Sequence, residues 1–352
     1  MACQSVKQLP VYEITEGVPM TADVVPLHAA RVQLTRVERG SLTVLLRLGR
    51  LGIRLFAYPV IALWARFPDL PWPYRVVDLA AVVLRPVRGV RRSRVRLAHC
   101  EAELMAPTGE LPSGAVLYLH GGAFVVGGLN THRRLVSRIV VGAGVTSLAV
   151  NYRKLPGHPV SAALEDALDG YRYLIELGYQ SEEIVVAGDS AGGFLGLVTS
   201  VIAQRRGLGS PGALVCMSPL VQRDPAGKLV LASQSNDSLF PRAALIAMER
   251  LMLSAEGSTV GLSALDSFVE GDLAVLACLP ATLIQVGSDE ILRPDAEFAA
   301  ARLAEAGVPV ELQIWRNQVH DFQIAADVLV DARAAVGEIS AFVRAHVGRT
   351  AA

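Results

Sequence analysis

The chain has 352 residues, enough for one large core or for a domain with a cap, and its 52% apolar content excludes a disordered protein. Its 33 basic and 33 acidic residues balance, so no overall field draws it toward nucleic acid and no nucleic-acid partner is expected. The four cysteines, Cys3, Cys100, Cys216 and Cys278, are far apart and form no CxxC pair, which argues against a metal site and suits a reducing cytoplasm.

The first 25 residues carry Glu13, Glu16 and Asp23 and lack the apolar core of a secretory signal, so a cytoplasmic location is expected. Residues 41–67 are the greasiest early stretch, but Arg47, Arg50 and Arg54 interrupt it and argue against a membrane span. Helical spacing groups those arginines on one face and Leu42, Leu45, Leu46, Gly49, Ile53, Phe56 and Val60 on the other. The reading is a cap helix packed over the site; the alternative is peripheral lipid contact through residues 41–67 and membrane association. Pro71-Trp72-Pro73 closes the region, and residues 84–94 read as an exposed basic connector.

From Arg94 onward short strands alternate with helices. Residues 94–107 read as a half-exposed strand, and buried strands are expected at 114–120, 145–152, 183–190, 212–220, 281–288 and 309–315. Helices are expected at 130–142, 161–177, 191–204, 294–307 and about 324–346. This alternation predicts a mostly parallel sheet with right-handed crossovers. Residues 221–275 break it and read as a cap insertion. The domain reading is therefore an N-terminal helical region, 1–90, contributing to the cap, and a catalytic domain, 91–350.

Three motifs carry chemistry. Gly188-Asp189-Ser190-Ala191-Gly192 has the G-x-S-x-G form between a buried strand and a helix, a setting that strains the turn and presents the serine hydroxyl. His120-Gly121-Gly122-Ala123-Phe124 follows another buried strand, and its backbone amides suit an oxyanion. Gly121 and Gly122 are assigned as donors together with Ala191, while which loop amides point inward is left open. His120 is read as a loop anchor. Asp289 and His320 then fall just past the carboxyl ends of two later strands, in the order Ser, Asp, His. His320 would act as base on Ser190 and Asp289 would orient it, with Glu290 or Asp295 as alternative acids.

These residues resemble the bacterial hormone-sensitive-lipase-type esterases. HGGAF, GDSAGG at 188–193, GSDEIL at 287–292, VHDF at 319–322 and the Asn151–Pro159 segment are similar to that family's motifs in the same order, over about residues 95–345. The resemblance implies an α/β-hydrolase fold, with an eight-stranded, mostly parallel sheet and a helical cap. It also implies no cofactor and hydrolysis of short- to medium-chain acyl esters, with Ser190, Asp289 and His320 as the triad and the HGG loop as oxyanion hole. Asn151 and Gly157 depart from the family's Asp and Glu, which puts charge pairs bracing that loop in doubt. The partner expected is a small acyl ester, and a homodimer through an edge strand is compatible with such a sheet. A lipase, an amide hydrolase on the same triad, and a non-catalytic receptor for a hydrophobic ligand are the competing readings.

Overall fold

In the computed structural model, residues 32–33, 44–109, 112, 114–222, 225–226, 228–229, 237–256 and 266–347 are described. The apolar runs form β4 (Ala115–Leu119), β5 (Thr146–Asn151), β6 (Ile184–Asp189), β7 (Ala213–Met217), β8 (Thr282–Gly287) and β9 (Val310–Trp315). They are buried at almost every position, as strands covered on both faces must be. The sheet order is β1-β9-β8-β7-β6-β4-β5-β3-β2, parallel from β9 to β5. Eight strands, β2 to β9, make the body of the sheet, and β1 (Val32–Gln33) adds a two-residue bridge beside β9.

The single strand expected over 94–107 is a hairpin. β2 (Val90–Arg96) and β3 (Glu101–Pro107) pair antiparallel, and Leu97 N–H donates to the Cys100 carbonyl at 2.9 Å across the turn. The second part of the expected basic connector, residues 90–94, is thus edge strand β2, whose arginines face water because nothing among the described residues pairs with its outer side. One of them, Arg92, reaches back to the buried Glu103, which also takes Arg133.

Helices α4 (Leu129–Ala143) and α10 (Val330–His346) cover one face of the sheet. Helices α5 (Val160–Glu176), α6 (Ala191–Arg205) and α9 (Arg293–Glu305) cover the other, with the one-turn α8 (Leu273–Leu276) against α9. The C-terminal helix starts at Val330 and not near 324, because the chain first makes a short 3₁₀ turn over Phe322–Ala325.

In the N-terminal region α1 (Val44–Gly52) and α2 (Tyr58–Arg66) run on through a π-helical turn, Ile53–Ala57, and α3 (Arg75–Ala80) follows. Helix α2 packs on α7 (Arg242–Glu256), and Trp64, Leu245 and Met248 share one core cluster. The expected inward face is corrected here. Leu46 and Trp64 turn in, whereas Leu45, Phe56 and Val60 are exposed; Leu42 lies outside the described residues. Arg50 also turns in, toward Asp289. The inward seam is narrow: besides Leu46 and Trp64, Ile53 and Ile61 are partly buried against the core, and α7 supplies the facing contact.

Helix α4 opens after Gly128, a residue with no side chain to cap it, and Asp78 supplies the cap from α3. Its carboxylate accepts Asn130 N–H at 3.0 Å, Thr131 N–H at 2.9 Å and the Asn130 amide at 2.8 Å. Negative charge there also meets the positive end of the helix dipole. Asp78→Ala is expected to cost about 1–2 kcal/mol of stability. Urea unfolding would measure it, and an unchanged midpoint would show the cap to be idle.

Candidate active site

Strand β6 ends at Asp189, and Ser190 sits in the turn before α6 with φ 51° and ψ −119°, a conformation that costs a non-glycine residue energy. Crowding explains why the motif needs its glycines. A Cβ on Gly192 would lie 2.0 Å from the Leu119 carbonyl oxygen, and one on Gly188 would lie 2.4 Å from the Gly192 carbonyl oxygen. The turn is held in place by Ser190 N–H donating to Met217 O at 2.8 Å and by Leu220 N–H donating to Ser190 O at 3.0 Å.

Asp189, beside the serine, is wholly buried and binds three groups from elsewhere. Its carboxylate accepts the Tyr118 hydroxyl at 2.6 Å, Gly121 N–H at 2.9 Å and His132 Nε2 at 3.0 Å. Burial alone would lower the His132 pKa, but the Asp189 charge reverses this and holds the imidazole above its usual value. On its other side His132 Nδ1 faces the Gly128 carbonyl at 3.1 Å, so both ring nitrogens point at acceptors. His120 is different: burial and the nearby Lys154 hold it well below the usual histidine range, so it stays neutral. It donates through Nδ1 to Gly121 O at 2.7 Å, accepts from Lys154 Nζ at 3.3 Å, and stacks on Tyr152 at 4.3 Å. The expected role of loop anchor matches this geometry.

This arrangement alters one expectation about the oxyanion loop. Gly121 N–H is committed to Asp189, and a Cβ at Gly121 would collide with that carboxylate at 2.1 Å. The amides of Gly122, Ala123 and Ala191 have no hydrogen-bond partner among the described residues. Ala123, with φ 53°, lines the same cavity as Ser190. Sequence alone gave no reason to prefer it to Gly121.

His320 and Ser190 meet as expected, with Nε2 2.9 Å from Oγ. The acid does not. His320 Nδ1 lies 3.0 Å from Glu290 Oε2, and Asp289 points away to Arg50 Nη1 at 2.7 Å. Neighbouring residues after a strand project to different sides, so only one of the two reaches the imidazole. Glu290 is buried, and its second oxygen accepts Gly287 N–H at 3.1 Å, which fixes the carboxylate plane. Asp295 is excluded from that role because it accepts Val221 N–H at 2.6 Å and Gln222 N–H at 3.0 Å and pairs with Lys228. His346, the other histidine beyond Ser190, bonds the Phe342 carbonyl at the end of α10.

One neighbour of the base has no counterpart in the sequence reading. Asp321, in left-handed backbone conformation, places Oδ2 3.1 Å from His320 Nε2, so that nitrogen faces both the serine and a carboxylate. Burial and the charge of Asp189 push Asp321 up to about 7 against the pull of His320. For His320 itself burial works against the charged ring, but Asp321 and Glu290 outweigh it and raise the imidazole well above its usual value.

The α/β-hydrolase fold family matches residues 116–324. The chain is 42% identical over 294 residues to Esterase LipU of Mycobacterium tuberculosis, covering 82% of this chain and 99% of that protein. It is 36% identical over 304 residues to Carboxylesterase/phospholipase LipF of the same organism, covering 85% and 81%. Among solved structures, the hormone-sensitive-lipase homologue EstE7 from a metagenome library superposes with a TM-score of 0.73 at 27% identity, covering 86% of this chain and 98% of that one. The chain belongs to the α/β-hydrolase family, among the bacterial hormone-sensitive-lipase-type esterases.

In this α/β hydrolase the departures from the family's loop are compensated locally. Asn151 Oδ1 accepts Lys154 Nζ at 2.9 Å, and the same ammonium lies 5.2 Å from the centre of the Tyr152 ring. Arg153 forks onto the buried Asp166 at 2.9 Å. The loop is braced through Lys154 and Arg153, and Gly157 contributes no charge. Above Ser190 a narrow apolar cavity is lined by Trp64, Ala123, Leu220, Phe240, Leu245 and Met248, with Phe240 edge-on to His320 at 4.9 Å. A larger cavity of about 330 Å³ lies beside the β2 and β3 edge, away from the nucleophile.

The two adjacent acids separate cleanly in a kinetic test. Glu290→Gln is expected to lower kcat by roughly 10³–10⁴-fold, the scale seen when a triad acid is neutralised. Asp289→Asn is expected to lower it less than about tenfold, because it breaks a partly buried ion pair that does not touch the imidazole. Hydrolysis of a soluble ester by both variants would check this, and the reverse ranking would restore Asp289.

Proposed function

We propose that the chain hydrolyses carboxylic esters with short- to medium-chain acyl groups through an acyl-enzyme on Ser190. His320 Nε2 takes the Ser190 proton as Oγ attacks the ester carbon, and returns it to the departing alcohol. Glu290 accepts the Nδ1 proton in a hydrogen bond and holds the ring in the tautomer whose Nε2 is free to accept. The amides of Gly122, Ala123 and Ala191 stabilise the oxyanion, while Asp189 holds the loop that presents them. Water then attacks the acyl-enzyme with His320 as base, which restores the serine. No step calls for a metal or cofactor.

The observation that carries this reading is the contact line Glu290–His320–Ser190, at 3.0 and 2.9 Å, ending on a strained serine beneath an apolar cavity. A receptor has no need for a strained nucleophile. Helices α2 and α7 act as the cap, since their Trp64 and Met248 side chains roof the cavity. The small width of that cavity favours acyl groups of modest length.

Hydrolysis of p-nitrophenyl esters from acetyl to palmitoyl would test the reading. Ser190→Ala is expected to cost about 10⁴–10⁶-fold in kcat, with loss of fluorophosphonate labelling. Full activity in that variant, or a folded wild type that takes no label and cleaves no ester, would refute it.

The pH profile gives a second test. The base must be neutral to accept the serine proton, so raising its pKa moves the acid limb of kcat/KM to higher pH. Asp321→Asn removes the charge beside Nε2, lowers the His320 pKa and is expected to move that limb to lower pH. A limb that stays put would mean that Asp321 does not govern the base.

A further inference from the structure

Exposed apolar side chains on this protein are concentrated in one place. Of the 22 large hydrophobic residues exposed among the described residues, 15 lie between Leu45 and Leu84. Within the α1–α2 helix the outward set is Leu45, Leu48, Leu51, Leu55, Phe56, Val60 and Leu63, with Phe56 77% exposed and Leu48 and Leu55 each 59%. Leu46 and Trp64, on the inward side, are buried. By length and composition Leu45–Arg66 is apolar enough to cross a membrane, yet of its 22 residues only Leu46 and Trp64 are buried inside the protein. A soluble surface rarely carries a contiguous patch of this kind without a partner.

Charge identifies the partner. No Asp or Glu occurs from Val44 to Pro68, while Arg47, Arg54 and Arg66 are exposed and have no acidic partner among the described residues. The whole chain is neutral, so this bias belongs to the helix and not to the overall composition. An apolar face flanked by arginines fits the headgroup region of an anionic lipid layer. A span is disfavoured because the helix is fastened to the protein. Trp64 is in the core and bonds Tyr74, and Arg50 bonds Asp289 and the Asn317 carbonyl.

We propose that the outward face of the Leu45–Arg66 helix seats on an anionic phospholipid surface, lying in its plane, while Trp64 on the opposite face roofs the cavity over Ser190. One helix then has lipid on one side and the acyl cavity on the other. Ester substrates dissolved in the lipid would thus be held beside the mouth of the site. This goes beyond the catalytic assignment and is read out separately from it.

The test uses the full chain and vesicles of phosphatidylcholine with about a quarter phosphatidylglycerol. Wild type is expected to co-sediment with these vesicles, to bind neutral phosphatidylcholine vesicles far more weakly, and to be released by salt. The double variant Phe56→Glu, Val60→Glu is expected to bind at least about tenfold more weakly while cleaving p-nitrophenyl butyrate at the wild-type rate. Wild type that binds no vesicle, or a double variant that binds as well as wild type, would overturn the proposal. Equal binding to neutral vesicles would overturn the assignment to anionic headgroups. A wild type that is dimeric by light scattering, binds no vesicle and becomes monomeric in the double variant would reassign the face to a second copy of the chain.

Discussion

The buried carboxylate of Asp189 is the constraint on which the site depends. It lies beside the nucleophile and joins three elements that are distant in sequence: Tyr118 at the end of β4, Gly121 in the oxyanion loop, and His132 on α4. A charge removed from water is tolerated only with partners in good geometry, and here three are supplied. Because they come from separate elements, the same bonds that stabilise the carboxylate also fix the loop against the serine turn. Even the support for α4 belongs to this chain of contacts, since Asp78 caps the helix turn that carries His132.

The proposed triad acid shows a different kind of control. Asp289 and Glu290 are adjacent, both acidic and both just past β8, so spacing alone gives either one a claim. The choice is made by which side chain turns under the sheet edge toward His320 and which turns out toward α1. Arg50 takes the outward carboxylate, so that charge is satisfied and the inner site keeps Glu290. Asp321 adds a second carboxyl group beside the ring, at Nε2, so the imidazole meets one acidic side chain more than a three-residue triad would supply.

The N-terminal helices connect this chemistry to the surface. Their inward contacts are few but specific: Trp64 over the cavity, Arg50 on the acid-bearing loop, and Asp78 on α4. Their outward side chains are apolar without any packing reason within the described residues. A stripe that is apolar on both sides reads in the sequence as a buried helix, and this explains why a helix packed over the site is the natural expectation for residues 41–67.

The sequence by itself determined the fold class and the strand and helix order from β4 onward, and it singled out Ser190 and His320, the proposed nucleophile and base. Buried parallel strands leave long unbroken apolar runs, and a strained serine turn needs small residues at fixed offsets, so both are written locally as residue type and spacing. Tertiary structure decided what depends on direction. It chose Glu290 over Asp289, committed Gly121 N–H to Asp189 and left Ala123 free, folded residues 90–107 into a hairpin, and turned Phe56 outward. Each of these follows from where a side chain or an amide points once distant elements meet, and spacing along a chain does not record that.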